Sequence, residues 1–191
     1  MYHRKHSSAV VTRVNQLNLN NVRPSRGGIV LYTVYQKRLY YGFCIDSRTH
    51  DLTDGGGTID YKIDKTVLHG SIREFEEETV EIFEHITVED IKWCPVVYDD
   101  KNLIIFMHID VDPNEVSQKF NERYSILCEK QLQEAQRLGR KPRNPPEVCG
   151  ITWLTHESLQ QAIDNPGVLY SRVRKFLAQV ITPNSEFLQL L

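Results

Sequence analysis

From Arg26 onward the chain alternates between short β-branched and aromatic runs and longer stretches with helical spacing. The two runs in GGIVLYTVYQKRLYYGFCI flank the polar QKR and predict a hairpin with one well-buried face. SRTHDLTDGGGTIDYKID follows and reads as a turn-rich loop. From about Thr66, the positions Leu68, Ile72, Phe75, Thr79, Ile82 and Phe83 fall on one stripe, which predicts an amphipathic helix. IKWCPVVYDDKNLIIFMHIDV predicts two further strands joined across Asp99 to Asn102, a second hairpin. A helix-like stretch then runs to Pro146, turning basic at Arg137, Arg140, Lys141 and Arg143 before prolines end it. It is longer than a typical loop and reads as a helical insertion at about 113–146. EVCGITWL is another strand, Thr155 caps a short helix to about Asp164, NPG stops it, and LYSRVRKFLAQVI is a closing amphipathic helix. Strands before, between and after helices imply an α/β (α+β) sandwich, with helices packed on a mixed sheet. Residues 1–25 are polar and Asn-rich and read as a loose N-terminal arm ahead of a single domain at 26–191.

Composition adds exclusions rather than a function. With 191 residues, 40% of them hydrophobic, the chain is long enough for one apolar core. A formal net charge of −2 gives no global argument for nucleic acid or membrane, so any such partner must meet a local patch. No apolar run is long enough to span a bilayer, and the first twenty residues, with Arg4, Lys5 and Arg13, lack the apolar core of a secretory signal. The expectation is a soluble, intracellular, cytoplasmic protein with no membrane partner. Cys44, Cys94, Cys128 and Cys149 are spread singly, which suits reduced thiols rather than a zinc site or a disulfide framework.

The distinctive charge lies in HGSIREFEEETVEIFE, His69 to Glu84, with six glutamates and one base, Arg73. At about 100° per residue, Glu74, Glu77, Glu78 and Glu81 share roughly a third of the helix circumference, opposite the apolar stripe. Like-charge pairs at i,i+4 (74 with 78, 77 with 81) each cost a few tenths of a kcal/mol, and no lysine stands at a spacing that would relieve them. Two readings stand: a solvated helix face, or a site for a hard divalent cation, since clustered carboxylates suit Mg²⁺ or Mn²⁺. Gly70, one turn before Glu74, leaves room for close approach of a loop or phosphate. The glycine-rich DGGGTID is placed to fold over the same face and offer backbone groups to a pyrophosphate or a metal.

GGG at Gly55 to Gly57 followed by GSIREFEEET at Gly70 to Thr79 resembles the Nudix box, whose pattern is Gly, five residues, Glu, seven residues, then R-E-hydrophobic-x-E-E-x-G-hydrophobic. Arg73, Glu74, Phe75, Glu77 and Glu78 match the second half position by position. The first half departs from it: Gly57 and Arg73 are two positions further apart than in the family, so its first Glu falls on Ile63 or Lys65, with Asp64 the nearest carboxylate. Val80 and Glu81 replace the closing Gly and hydrophobe, which suggests a helix that ends later and without a left-handed glycine cap.

The resemblance implies the Nudix α/β/α sandwich and a Mg²⁺- or Mn²⁺-dependent pyrophosphohydrolase that cleaves a nucleoside diphosphate linked to another group. It makes Glu74, Glu77 and Glu78 the metal ligands, Arg73 the residue that orients them, and Gly56 and Gly57 part of the pyrophosphate loop. It also implies a further carboxylate as base or extra ligand, for which Asp64, Glu81, Glu115, Glu122 and Glu147 are candidates. Trp153 reads as core and His108 as structural or exposed. The basic end of the insertion, with Arg23 and Arg26, would suit an RNA backbone and a cap-removing (mRNA decapping) enzyme of this family; small nucleotides need only a pocket. The alternative is a catalytically impaired Nudix-fold module that binds nucleotide or RNA.

Overall fold

The computed structural model describes residues 8–83, 85–141, 146–182 and 186–191. The first seven residues of the expected arm, Glu84, and Arg143 of the basic stretch lie outside the described residues. Among the described residues, eight strands form one mixed sheet: β1 (Val10–Arg13), β2 (Arg26–Tyr35), β3 (Arg38–Asp46), β4 (Leu52–Thr53), β5 (Gly55–Thr58), β6 (Pro95–Tyr98), β7 (Asn102–His108) and β8 (Val148–Thr155). The helices are α1 (Val67–Glu78), α2 (Pro113–Arg137), α3 (His156–Asp164), α4 (Ser171–Leu177) and α5 (Glu186–Leu190).

The two predicted hairpins are present. Gln36 and Lys37, both at positive φ (49° and 63°), make the tight turn between β2 and β3, the geometry that matches strand twist. Along β1-β6-β7-β2-β3-β4 every pairing is antiparallel except β2 with β7, where Gly28 stands opposite Ile104 in a parallel register. One core cluster joins Leu68, Ile72 and Phe75 of α1 and Val116 and Phe120 of α2 to sheet residues such as Ile29, Leu31 and Ile105. The other joins Leu159 and Ile163 of α3, Val173 and Phe176 of α4 and Phe187 of α5 to Val30, Tyr41, Phe43 and Phe106. Alternating residues of the same strands serve the two clusters, so the sheet is the middle of an α/β/α sandwich. Thr155 caps α3 through the Ser158 amide, and Asp112 caps α2 through the Asn114 amide with Pro113 at the first helical position. Among the described residues, no helix is long and apolar enough to cross a membrane.

Three expectations are corrected. The arm is part of the sheet from Val10, which stands opposite Tyr98, and Val14 is buried. The turn-rich loop holds β4 and β5. The acidic helix ends at Glu78 rather than running on, and both Val80 and Glu81 are left-handed (φ 50° and 59°) although neither is glycine. Buried Val80 and Ile82 supply the reason, since turning the chain there returns both to the core under α1.

Candidate functional site

β2 and β3 stay paired only from the hairpin turn as far as Leu31 and Gly42. Beyond that they splay, and residues 52–58 fill the gap: Leu52 and Thr53 pair with β3, then Gly55 to Thr58 pair with β2. The changeover falls on Asp54, which is 0% exposed. A buried carboxylate needs a partner, and Arg26 at the start of β2 supplies an ion pair while also donating to the Gly56 carbonyl. The expected glycine-rich flap is therefore a strand, held in the sheet beneath the C-terminal half of α1.

That placement explains the glycines. A Cβ on Gly57 would lie 2.0 Å from Glu74 Oε2, so only glycine lets the Glu74 carboxylate rest on the strand. The Gly56 amide donates to Glu78 Oε2 at 2.7 Å. At Gly70 the space is filled from within: a Cβ there would meet Ile59 and the Asp64 carboxylate, so a loop approaches as expected.

The acidic face is divided. Arg73 takes Asp64 in a two-point ion pair, Nε to Oδ1 at 3.1 Å and Nη2 to Oδ2 at 3.0 Å, and reaches Glu74 at 2.8 Å and Glu77 at 3.4 Å. Asp64, off register from the family's Glu, thus becomes the clamp that fixes Arg73; this hydrogen bonding holds the Asp64 pKa below its ordinary value and raises that of Arg73. Glu74 is 19% and Glu77 64% exposed, so the former is anchored and the latter stands in water. Glu76 accepts the Ile86 amide at 3.0 Å. Glu77 and Glu81 line a hollow of about 810 Å³ against α2, where Arg123 lies 3.8 Å from Glu81.

Glu78 turns the other way, into a cleft of about 430 Å³ lined also by Arg26, Asp46, Arg48, Gly56, Glu147 and Arg172. Burial pushes its pKa up to about 8; the Gly56 amide and Arg26 oppose the rise, and the charges of Asp54 and Glu147 add to it. Arg172 is lowered by burial and by the Arg26 charge. The cleft thus holds a carboxylate whose ionised form is disfavoured chiefly by desolvation.

Of the candidate accessory acids, the structure brings only Glu147 into this cleft. Glu122 accepts from Gln118 on α2, Glu115 is exposed in the first turn of that helix, and Glu81 faces the other hollow. Of the bases assigned to RNA, Arg23 stacks on Tyr61 at 4.7 Å, Arg26 is engaged with Asp54, and Arg140 pairs with Glu134 at 3.1 Å. Trp153 packs against the core and His108 is exposed. Sequence reasoning missed Asp54, Arg48, Tyr170 and Arg172. Only Asp54 left a signal, an acid immediately before GGG; the others come from distant segments with no shared spacing.

Among the described residues, no group of three or more His, Cys, Asp or Glu side chains is gathered closely enough to hold a metal ion by itself. The donor set nevertheless fits a hard cation: a half-buried carboxylate whose ionised form desolvation disfavours, a second acid in the same open cleft, and Glu74 resting on the adjoining strand residue. Mg²⁺ takes only one or two protein carboxylates and keeps waters or substrate phosphates elsewhere.

No protein-family model and no curated protein matches the chain. Among solved structures it is similar to C. elegans Ap4A hydrolase, at 13% identity and TM-score 0.41 over 83% of this chain and 96% of that one. It is similar to a binary complex of the C. elegans hydrolase at 15% and 0.42, over 81% and 92%. It is also similar to the NUDIX domain of Shewanella oneidensis NrtR complexed with ADP ribose, at 11% and 0.43, over 83% and 86%.

Proposed function

We propose that this protein is a Nudix-type hydrolase that uses Mg²⁺ or Mn²⁺ to cleave a pyrophosphate bond in a nucleoside diphosphate linked to another group. The observation that carries the reading is the placement of Glu78: half-buried at the end of α1, hydrogen-bonded to Gly56, and sharing an open cleft with Glu147 and three arginines. The match of Arg73, Glu74, Phe75, Glu77 and Glu78 to the box supports it independently.

Glu78 and Glu147, with Glu74 beside them, would hold the ion. When bound, it supplies positive charge at the phosphoryl oxygens and a polarised water. The protein's own part is positional. The Asp64–Arg73 clamp fixes Glu74, β5 fixes the height of the Glu78 carboxylate through the Gly56 amide, and Arg26 spans Asp54 and Gly56 to hold that strand. Held against the ion, Glu78 would also orient the attacking water.

The test is divalent-dependent product release across nucleotide sugars, dinucleoside polyphosphates, nucleoside triphosphates and capped RNA, with Mg²⁺ and Mn²⁺ compared. Loss of turnover in Glu78→Gln, and in Glu77→Gln combined with Glu78→Gln, is expected; full activity in either overturns the assignment. One observation favours a second reading, a module that binds nucleotide without turnover: Glu77 is solvent-exposed and lines a different hollow from Glu78. Saturable nucleotide binding with no turnover in either metal would select it.

A further inference from the structure

Arg48 and Arg172 reach the cleft from segments far apart in sequence, and neither has an acidic partner among the described ion pairs. The pieces that deliver them are built. Asp46 accepts the Arg48 and Thr49 amides at 2.8 Å each, which closes the turn after β3. The Ser47 amide donates to the Glu147 carbonyl at 2.7 Å, so this turn is tied to the segment that carries the cleft's second acid. On the other side, the Leu52 amide donates to Val168 at 2.9 Å and the Tyr170 amide to Leu52 at 2.8 Å, adding residues 168–170 to the edge of β4. Tyr170 then carries the Arg172 guanidinium over its ring, 5.2 Å from the centroid.

Arg26 is engaged with buried Asp54, and the Asp46 carboxylate, fixed by the amides of its own turn, keeps its charge near Arg48. What remains is three acids, Asp46, Glu78 and Glu147, and two guanidinium groups, Arg48 and Arg172. A divalent cation at Glu78 and Glu147 balances those two, and Asp46 offsets one guanidinium, which leaves one net positive charge of the arginine pair to be balanced by the ligand. Guanidinium forks match the oxygens of phosphate, and an uncharged sugar offers them no counter-charge.

We propose that Arg48 and Arg172 form a phosphate-binding subsite that holds the non-scissile phosphate of a diphosphate or longer phosphate chain, with Tyr170 as the positioning residue for Arg172. This rests on the proposed hydrolase for which bond is cut and for the divalent ion that offsets the acids.

The experiment measures binding of inorganic phosphate, pyrophosphate and tripolyphosphate, as their Mg²⁺ complexes, to the full chain by calorimetry at saturating Mg²⁺, alongside KM and kcat for the best nucleotide substrate in the same Mg²⁺. Wild type is expected to bind tripolyphosphate more tightly than pyrophosphate, and phosphate least. Arg48→Ala combined with Arg172→Ala should weaken tripolyphosphate about tenfold or more and raise KM by a similar factor, with kcat within about threefold. Lysine at both positions should recover part of the affinity, and Tyr170→Ala should weaken binding where Tyr170→Phe does not. If the double alanine variant does not melt as a folded protein, exposed Arg48→Ala alone is read instead. Pyrophosphate and tripolyphosphate affinities within about twofold of wild type in the folded variant would overturn the subsite. Arginine-dependent binding without any hydrolysis in wild type leaves the subsite standing and removes the hydrolase; Glu78-dependent hydrolysis with KM indifferent to both arginines does the reverse.

Discussion

Of the hollows that flank the glutamates of α1, two differ most, and the larger holds the better-solvated acids. The hollow toward α2, about 810 Å³, is lined by Glu77, Glu81, Arg123 and Lys130 together with Ile126 and Leu127. Its acids stand in water, 64% and 76% exposed, and Glu81 has Arg123 nearby, so solvent and a loose ion pair screen their charge. The cleft toward β5 is about half that volume, yet it holds a partly desolvated carboxylate and two arginines without acidic partners. Volume measures room, whereas desolvated charge measures the free energy available to a ligand. Helix periodicity puts Glu77, Glu78 and Glu81 within a third of the circumference; the step of about 100° from Glu77 to Glu78 in the last turn of α1 sends those two into different hollows, and the left-handed residues after the helix leave Glu81 on the side of Glu77.

The sharpest way to break this comparison is to neutralise one acid on each side. Glu78→Gln should lower kcat by about 100-fold or more, while Glu81→Gln should stay within about twofold, measured as initial rates at saturating Mg²⁺. Equal losses would erase the distinction between the hollows.

Next in size is the pH dependence of stability without divalent ions. The folded-state pKa of Glu78 is raised to about 8, so between its unfolded value near 4.5 and about 8 the native state binds the extra proton. Stability from this group is therefore full below about 4.5 and falls as pH rises toward 8, by an amount on the order of a few kcal/mol. Urea unfolding across that range should show the decline, and Glu78→Gln should flatten it. Added Mg²⁺ should restore stability at pH 8 in wild type, by about 2.7 kcal/mol at 100 times its dissociation constant, and not in the Gln variant.

Asp64 has the opposite sign. Its folded-state pKa is lowered, chiefly by hydrogen bonding to Arg73, so its contribution is present above the unfolded value and is lost as pH falls through the folded one. Asp64→Asn should destabilise by about 1–3 kcal/mol at neutral pH and remove that acid-side dependence. It should also raise the solvent accessibility of Glu74, read by hydrogen exchange along α1.

The smallest expected effect lies at the break between the hollows. Glu81 is exposed and left-handed, so Glu81→Gly should stabilise by about 0.5–1 kcal/mol, a rise of a few degrees in Tm, without changing turnover. Val80→Gly should not stabilise, because the strain it relieves is offset by lost burial of Val80.

The apolar pattern by itself determined the two hairpins, the start of α1, the cap of α3 at Thr155 and the three-layer architecture, because periods of two and 3.6 residues report which face each element must bury. It also marked the acidic segment, because uncompensated like charge on a helix has a cost visible in residue types alone. Where that helix ends was not legible: burial of Val80 and Ile82 under α1 outweighs the preference against left-handed Val. Nor was the role of GGG, because a strand that changes partner at Asp54 exists only when β2 and β3 have already splayed. Only the tertiary structure chose Asp64 as the clamp, separated Glu78 from Glu77 and Glu81, and brought Arg48, Glu147 and Arg172 into one cleft. Charge carries no periodicity across segments that meet only through the sheet, so their meeting is decided by the chain path and not by spacing.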